Sequence, residues 1–319
     1  MNLGKVCVIG CSGFVGSHVT AKLLKRGYSV NGTLRNSKGS SAEWLMSSVA
    51  SKSISDNSLR LFSADVFDKE SLRLAMADCA GMIVCAGSPV IAPETIDLMV
   101  AVGKNTSEVA IESGIERAIY TSSTGSTNPP EGEPKLKNEE IHWSDPVQQF
   151  DAGKFAAVGK TRMDRIVLEK MQITEGDFRV CVINPSMIVG PAYQVEPVTS
   201  LIRFADIING KRFRDKIPNS SNSIIDVRDL AELHINALEK EDSRGRYFGV
   251  KRSWHWREIL RELELACPGY TMPNIDPEEF PVRETQFDFS RQKSLGVSIR
   301  GIKEMFKDLI KELNRRKMI

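Results

Sequence analysis

Seven residues near the start of the chain, Gly10-Cys11-Ser12-Gly13-Phe14-Val15-Gly16, place three glycines at GxxGxxG spacing. The chemistry this spacing serves is the holding of a diphosphate by backbone amides. Gly10 lets the chain turn sharply, Gly13 lets the amides approach a phosphate with no Cβ in the way, and Gly16 lets a helix pack closely. The phosphates would then lie at a helix N-terminus, where free N–H groups and the dipole favour negative charge. A second group is Arg35, in Leu34-Arg35-Asn36-Ser37-Lys38. An NAD site usually has Asp or Glu there, on the ribose 2′-OH, whereas a guanidinium suits a 2′-phosphate by charge and bidentate geometry. Arg35 therefore argues for NADP(H) over NAD(H), against the simpler reading of a solvated loop arginine. Asp65, in Ser63-Ala64-Asp65-Val66, and Ser123, in Tyr120-Thr121-Ser122-Ser123-Thr124, close two further apolar runs. Such strand ends form the ligand crevice of open α/β sheets, and a serine there can hold a carbonyl oxygen. A helix cap is the competing role for Asp65, although Asp68 is better placed for it.

These residues need strands and helices in alternation, and the pattern supplies them. Val6 to Ile9 is a short apolar run of the buried parallel kind, and Ser17 to Arg26 has apolar residues at helical spacing. Strands are expected at 28–34, 59–64, 81–86, 117–122 and 179–183, with helices at 41–50, 69–77, 94–113 and 154–171. That order predicts a doubly wound parallel sheet of Rossmann type. Asn128 to Asp145 is polar, carries three prolines before Pro146 and reads as a loop. Beyond Asn184-Pro185 the strands are short and broken by Gly, Pro and Ser. Helices are expected at 198–208, 229–238 and 302–313, and a strand at 247–250. Residues 268–281 are proline-rich and read as a cover over a cleft. The expected division is a Rossmann domain over 1–185 and a smaller, mainly substrate-binding lobe over 186–319, with 224–250 returning to the first sheet.

Several stretches are similar to the extended short-chain dehydrogenase/reductases, and in particular to the plant group that holds dihydroflavonol, vestitone, anthocyanidin and cinnamoyl-CoA reductases. They are the glycine run, Ser122 to Asn128, the Trp143-Ser144-Asp145 loop, Asn184 to Pro191, and the closing Leu295-Gly296 and Ile302 to Phe306. The resemblance implies a carbonyl reductase or alcohol dehydrogenase, acting on a small cyclic or aryl ketone or aldehyde. It implies a cofactor site of Gly10, Ser12, Gly13, Phe14, Val15, Gly16, Arg35, Asp65 (on the adenine), Val66, Ala86, Lys160 and Pro185. It places substrate against Ser88, Thr124, Asn128, Met187 and Tyr193. Catalysis would rest on Ser123 and on a Tyr-x-x-x-Lys helix whose lysine is Lys160. The tyrosine of that pattern would donate the proton as hydride arrives. Here Ala156 stands in its place. Three accounts fit: a natural cofactor-binding protein without turnover, a substitute acid such as Asp151, Lys154 or Tyr193, or a tyrosine replaced by alanine to trap a complex. Keeping Ser123, Lys160, Arg35 and the glycines together favours the third. A sugar-nucleotide epimerase or dehydratase remains the enzymatic alternative.

Composition bounds the rest. The 319 residues, 41% hydrophobic, can bury a large core. A net charge of +2 gives no basic footprint for nucleic acid, and no apolar run approaches the roughly 20 residues of a membrane span. The first apolar run is too short for a signal peptide. Six cysteines (7, 11, 79, 85, 181, 267) without CxxC, and four histidines (18, 142, 234, 255) without HExxH, point to reduced thiols and no metal. A cytoplasmic protein follows as the expectation; the resemblance adds a small carbonyl or alcohol substrate as partner, and self-association is compatible. Asp229 or Asp226 reads as a helix cap, with a cofactor role as the alternative that the resemblance implies, His142 as a loop residue, and Trp254 and Trp256 as anchors of the second lobe. Lys311 to Lys317 reads as a solvated helix end.

Overall fold

A computed structural model describes residues 4–49, 58–88, 92–196, 198–275 and 279–319. Ala50, where the second expected helix ends, Pro197 and positions 276–278 of the proline-rich stretch lie outside these residues.

The first half alternates as the pattern requires: β1 (Lys5–Ile9), α1 (Phe14–Lys25), β2 (Ser29–Leu34), α2 (Ser40–Ser48), β3 (Leu59–Ser63), α3 (Lys69–Met76), β4 (Gly81–Val84), α4 (Glu94–Glu112) and β5 (Arg117–Thr121). A short α5 (Pro146–Asp151) and the long α6 (Phe155–Ile173) follow, then β6 (Arg179–Pro185), β7 (Met187–Val189), α7 (Thr199–Ile208), β8 (Ser221–Asp226) and α8 (Val227–Glu239). The chain closes through β9 (Gly245–Gly249), β10 (Arg252–His255), α9 (Trp256–Ala266), α10 (Ser290–Ser294) and α11 (Ile302–Arg315).

Seven strands form one sheet in the order β3-β2-β1-β4-β5-β6-β9, with every neighbouring pair parallel. The order reverses between β1 and β4, where Ile9 faces Thr33 on one side and Val84 on the other. A crevice opens at the carboxyl ends of the strands at such a switch point. Apolar side chains of α1, α2 and α8 cover one face of the sheet, and those of α3, α4 and α6 cover the other. Helix α6 lies tightly on α4, because a Cβ at Gly159 would meet the Met99 side chain at 2.9 Å. That contact fixes the height of the neighbouring Lys160.

A second, three-stranded sheet runs β10-β8-β7, with β8 parallel to β7 and antiparallel to β10. Residues 224–226 thus belong to this small sheet, while β9 joins the large one. Helices α7, α9 and α11 pack around it, with Trp254 and Trp256 buried among them. Three helices, α5, α9 and α10, escape the sequence reading, and two of them carry their signals openly. Helix α5 starts with Asp145 capping the amides of Val147 and Gln148 and Pro146 in the first turn. Helix α9 buries Trp256, Ile259, Leu260 and Leu263, spaced at one helical face. The C-terminal end is also not simply solvated: the Arg316 side chain is 7% exposed. It donates to Glu312 and to the carbonyls of Ala192, Gln194 and Val195. A local pattern of basic residues does not show that a loop 121 or 122 positions away supplies acceptors.

Candidate functional site

The glycine loop joins β1 to α1. Gly10 has φ +79°, and its amide is 3.2 Å from the Thr33 hydroxyl of β2. The next amide, Cys11, donates to the Thr33 carbonyl at 3.0 Å, so the turn is tied to the neighbouring strand. A Cβ on Gly16 would stand 2.9 Å from the Gly10 carbonyl carbon and closer still to its oxygen, so only glycine lets α1 start this close. No side chain caps α1, and its first turn holds no acid. Its first-turn amides are left for an anion. Phe14 and Val15 occupy that turn, with Ser12 and Gly13 just before it. Ala86 follows β4, packed against Gly10: its nitrogen would be 3.2 Å from a Cβ there. These residues fit the diphosphate of a dinucleotide.

Arg35 is exposed at the end of β2, with no carboxylate pairing with it among the described residues. The turn behind it is fixed by Ser37, whose amide and hydroxyl both meet the Ser63 hydroxyl of β3. Asp65 is exposed after β3 and accepts from the Phe67 amide at 2.9 Å, with half-buried Val66 between them. Asp68 caps α3, accepting from the amides of Glu70 and Ser71.

At the far side of the switch point, β5 and α6 bring Ser123, Ala156 and Lys160 to one edge. Lys160 and Ala156 lie four apart on α6, hence on one face. The Lys160 ammonium donates to the Thr121 carbonyl at 2.6 Å. Burial lowers its pKa to about 8, against the pull of Asp164 and Cys85. Ser123 accepts from the Gly125 amide at 3.0 Å and opens the 3-10 turn Thr124–Ser126.

Sequence reasoning missed the groups that hold this edge in place. The Asp164 carboxylate, one turn beyond Lys160 and fully buried, accepts from the Ser126 hydroxyl at 2.6 Å and from Asn184 at 3.2 Å. Asn184 also donates to the Ser123 carbonyl at 3.0 Å. Burial raises the Asp164 carboxyl. Behind Lys160, the Thr121 hydroxyl is 2.7 Å from His234 Nε2, and His234 Nδ1 is 2.7 Å from the Leu230 carbonyl. A carbonyl only accepts, so Nδ1 carries the hydrogen and Nε2 accepts from Thr121. Burial pushes His234 down to about 4, so it is neutral. The Trp-Ser-Asp loop has a bracing role: Arg246 stacks 3.4 Å over the Trp143 ring, Ser144 donates to the Gly125 carbonyl, and Asp145 caps α5.

The other expected residues scatter around this core. Thr124 is half-buried in the 3-10 turn, and Pro185 is buried at the end of β6. Asn128 accepts from Lys137 at 2.6 Å. Ser88 lies half-buried beside residues outside the described set. Met187 packs within the apolar core of the second lobe, 8% exposed, and the Tyr193 ring rests on His18 of α1 at 4.7 Å. Asp151 and Lys154 are exposed at the end of α5 and the start of α6. Asp226 is the cap of α8 and also pairs with Arg228, while Asp229 binds Arg300. Among the described residues no cluster of metal-ligating side chains occurs, and no helix is long and apolar enough to cross a membrane.

Residues 6–249 match the model of the NAD dependent epimerase/dehydratase family. The chain belongs to that family. It is 28% identical over 315 residues to a cinnamoyl-CoA reductase of Petunia hybrida, covering 98% of this chain and 92% of that one. Its fold superposes on the vestitone reductase of alfalfa with a TM-score of 0.82 at 25% identity, over 99% of this chain and all of the other. The yeast methylglyoxal/isovaleraldehyde reductase, solved with NADPH, shares the fold at a TM-score of 0.80 and 21% identity, over 99% of this chain and all of the other. The family member thus sits among reductases, as the sequence motifs imply.

Proposed function

We propose that this chain is an NADP(H)-dependent carbonyl reductase for a small ring-bearing ketone or aldehyde, with its usual proton-donor position filled by Ala156. The observation that carries the reading is the pairing of an uncapped glycine-loop helix with Lys160 and Ser123 on the same carboxyl edge of the sheet. Gly10, Gly13 and the first-turn amides of α1 would hold the diphosphate, Arg35 the 2′-phosphate, and Lys160 the nicotinamide ribose. When bound, the cofactor supplies hydride. Ser123, oriented by the Gly125 amide, would hold the substrate oxygen, and the Asp164–Asn184–Ser126 network keeps its backbone from moving. The methyl of Ala156 has no proton to give, so this chain should bind cofactor well and turn over slowly.

General acid catalysis contributes roughly 10²–10⁴-fold, so Ala156→Tyr should raise reduction of an aryl ketone panel by at least about a hundredfold. NADPH affinity, read by fluorescence titration, should barely change. A variant that binds NADPH but gains no activity on ketones or nucleotide sugars would instead make the chain a silent NADP(H)-binding regulator.

A further inference from the structure

The Ala156 position leaves a reductase edge without its phenol, yet an ionisable group still reaches that edge. We propose that in this chain Lys160 is itself the proton donor, delivering its proton to the substrate oxygen across the space that the Ala156 methyl leaves open. The inference rests on the reductase reading given above.

Geometry favours it over every other group nearby. Lys160 and Ala156 share one helix face a single turn apart, and position 156 carries a methyl in place of a phenol. An ammonium has three hydrogens. Among the described residues Lys160 spends one on the Thr121 carbonyl, and the side chain is only half-buried. The neighbours that could compete are all engaged or unsuited. The Asp164 carboxylate, on the same helix, is fully buried, with Oδ2 accepting from Ser126 and Asn184, and it has no exposed path to the Ser123 edge. The Cys85 thiol, after β4, is held up at about 11, far above the value for Lys160. The Thr121 hydroxyl faces His234 on α8, which is neutral and wholly buried. Asp151 and Lys154 point into solvent, and Tyr193 packs on α1. An amine titrating near 8 is a more suitable acid close to neutrality than an ordinary lysine, which holds its proton to about 10.4.

The step balances. The carbonyl carbon receives a hydride from the reduced nicotinamide, its π pair moves to oxygen, and that oxygen takes a proton from the Lys160 ammonium. Carbonyl becomes alcohol, the nicotinamide is oxidised, and Lys160 is left as a neutral amine that recovers a proton from solvent.

The test has two arms. In the first, the unmutated chain without cofactor is titrated: reductive ¹³C-methylation of its lysines followed by NMR, with Lys160→Arg assigning the signal. A Lys160 midpoint near 8 supports the proposal, and one near 10.4 overturns it. In the second, residual NADPH-dependent reduction is compared in the unmutated chain, Lys160→Arg and Lys160→Met. Arginine keeps charge and donors but does not release a proton, so at saturating NADPH it should lower the residual rate at least about tenfold. The residual rate should also fall as pH rises past 8, because only the ammonium can donate. In the Ala156→Tyr chain the same arginine should cost much less, since the tyrosine then supplies the proton. A residual rate indifferent to Lys160→Arg, with Ala156→Tyr active, overturns this inference alone. If neither chain reduces any carbonyl and NADPH does not bind, the reductase reading falls and this inference with it.

Discussion

Replacing Gly16 with alanine asks α1 to move. The new Cβ would lie 2.9 Å from the Gly10 carbonyl carbon, nearer still to its oxygen, and 3.1 Å from the Cys11 Cα. All three are backbone atoms, and the loop cannot yield by a side-chain rotation. Its turn is tied to β2 by the Cys11 amide and by Thr33. Forcing such an overlap typically costs 1–3 kcal/mol, and a backbone clash of this severity belongs at about 3 kcal/mol. At roughly 2 °C per kcal/mol for a chain of this size, Tm should fall by about 6 °C. Gly13→Ala provides the contrast. Its Cβ meets only the Gly10 carbonyl oxygen, at 3.3 Å, and otherwise faces open space above the loop. The loss of a glycine cap should cost no more than about 1 kcal/mol. That open space is where the diphosphate should lie, so NADPH affinity should nevertheless fall at least tenfold, or about 1.4 kcal/mol. Calorimetry and NADPH fluorescence titration on both variants separate the two effects. A Gly16→Ala protein with unchanged Tm, or a Gly13→Ala protein that binds NADPH as the unmutated chain does, would refute the reasoning.

Arg35→Asp should reverse the coenzyme preference, weakening NADPH and favouring NADH, because a carboxylate repels a 2′-phosphate and accepts from a 2′-OH; paired titrations check this, and an unchanged preference for NADPH would remove Arg35 from the site. Burial holds both His18 and His234 near 4, so the unfolded chain binds more protons than the folded one below 6.5, and stability present above that pH is lost as pH falls toward 4, by about 3 kcal/mol per ring. Ring-proton NMR of the folded chain should therefore show both midpoints near 4, and midpoints at 6.5 would contradict their burial. Thr121→Val should leave the Lys160 acceptor, a backbone carbonyl, in place but strand the His234 Nε2 lone pair, costing about 1–3 kcal/mol in a urea melt; no loss would mean that the hydroxyl does not hold the ring.

How much of this protein can be read from its residues depends on distance along the chain. The glycine loop, the alternation of strand and helix, Arg35 at the end of β2 and the four-residue step from Ala156 to Lys160 are local patterns. Backbone sterics, helical periodicity and the absence of a Cβ determine them within a dozen residues, so they stand in the sequence. Even the unpredicted α5 and α9 carried their caps and apolar spacing openly. The supports of the site are of another kind. Thr121 meets His234 across 113 positions, Asn184 meets Ser123 across 61, and Arg246 reaches the Ser126 carbonyl across 120. No local propensity encodes such pairs; they arise only once the parallel order of the sheet sets β5 beside β6 and lays α8 beneath them. The dehydration of Lys160 and His234 follows from the same packing, and with it the acidity that a bare sequence, which shows only a lysine and a histidine, does not contain.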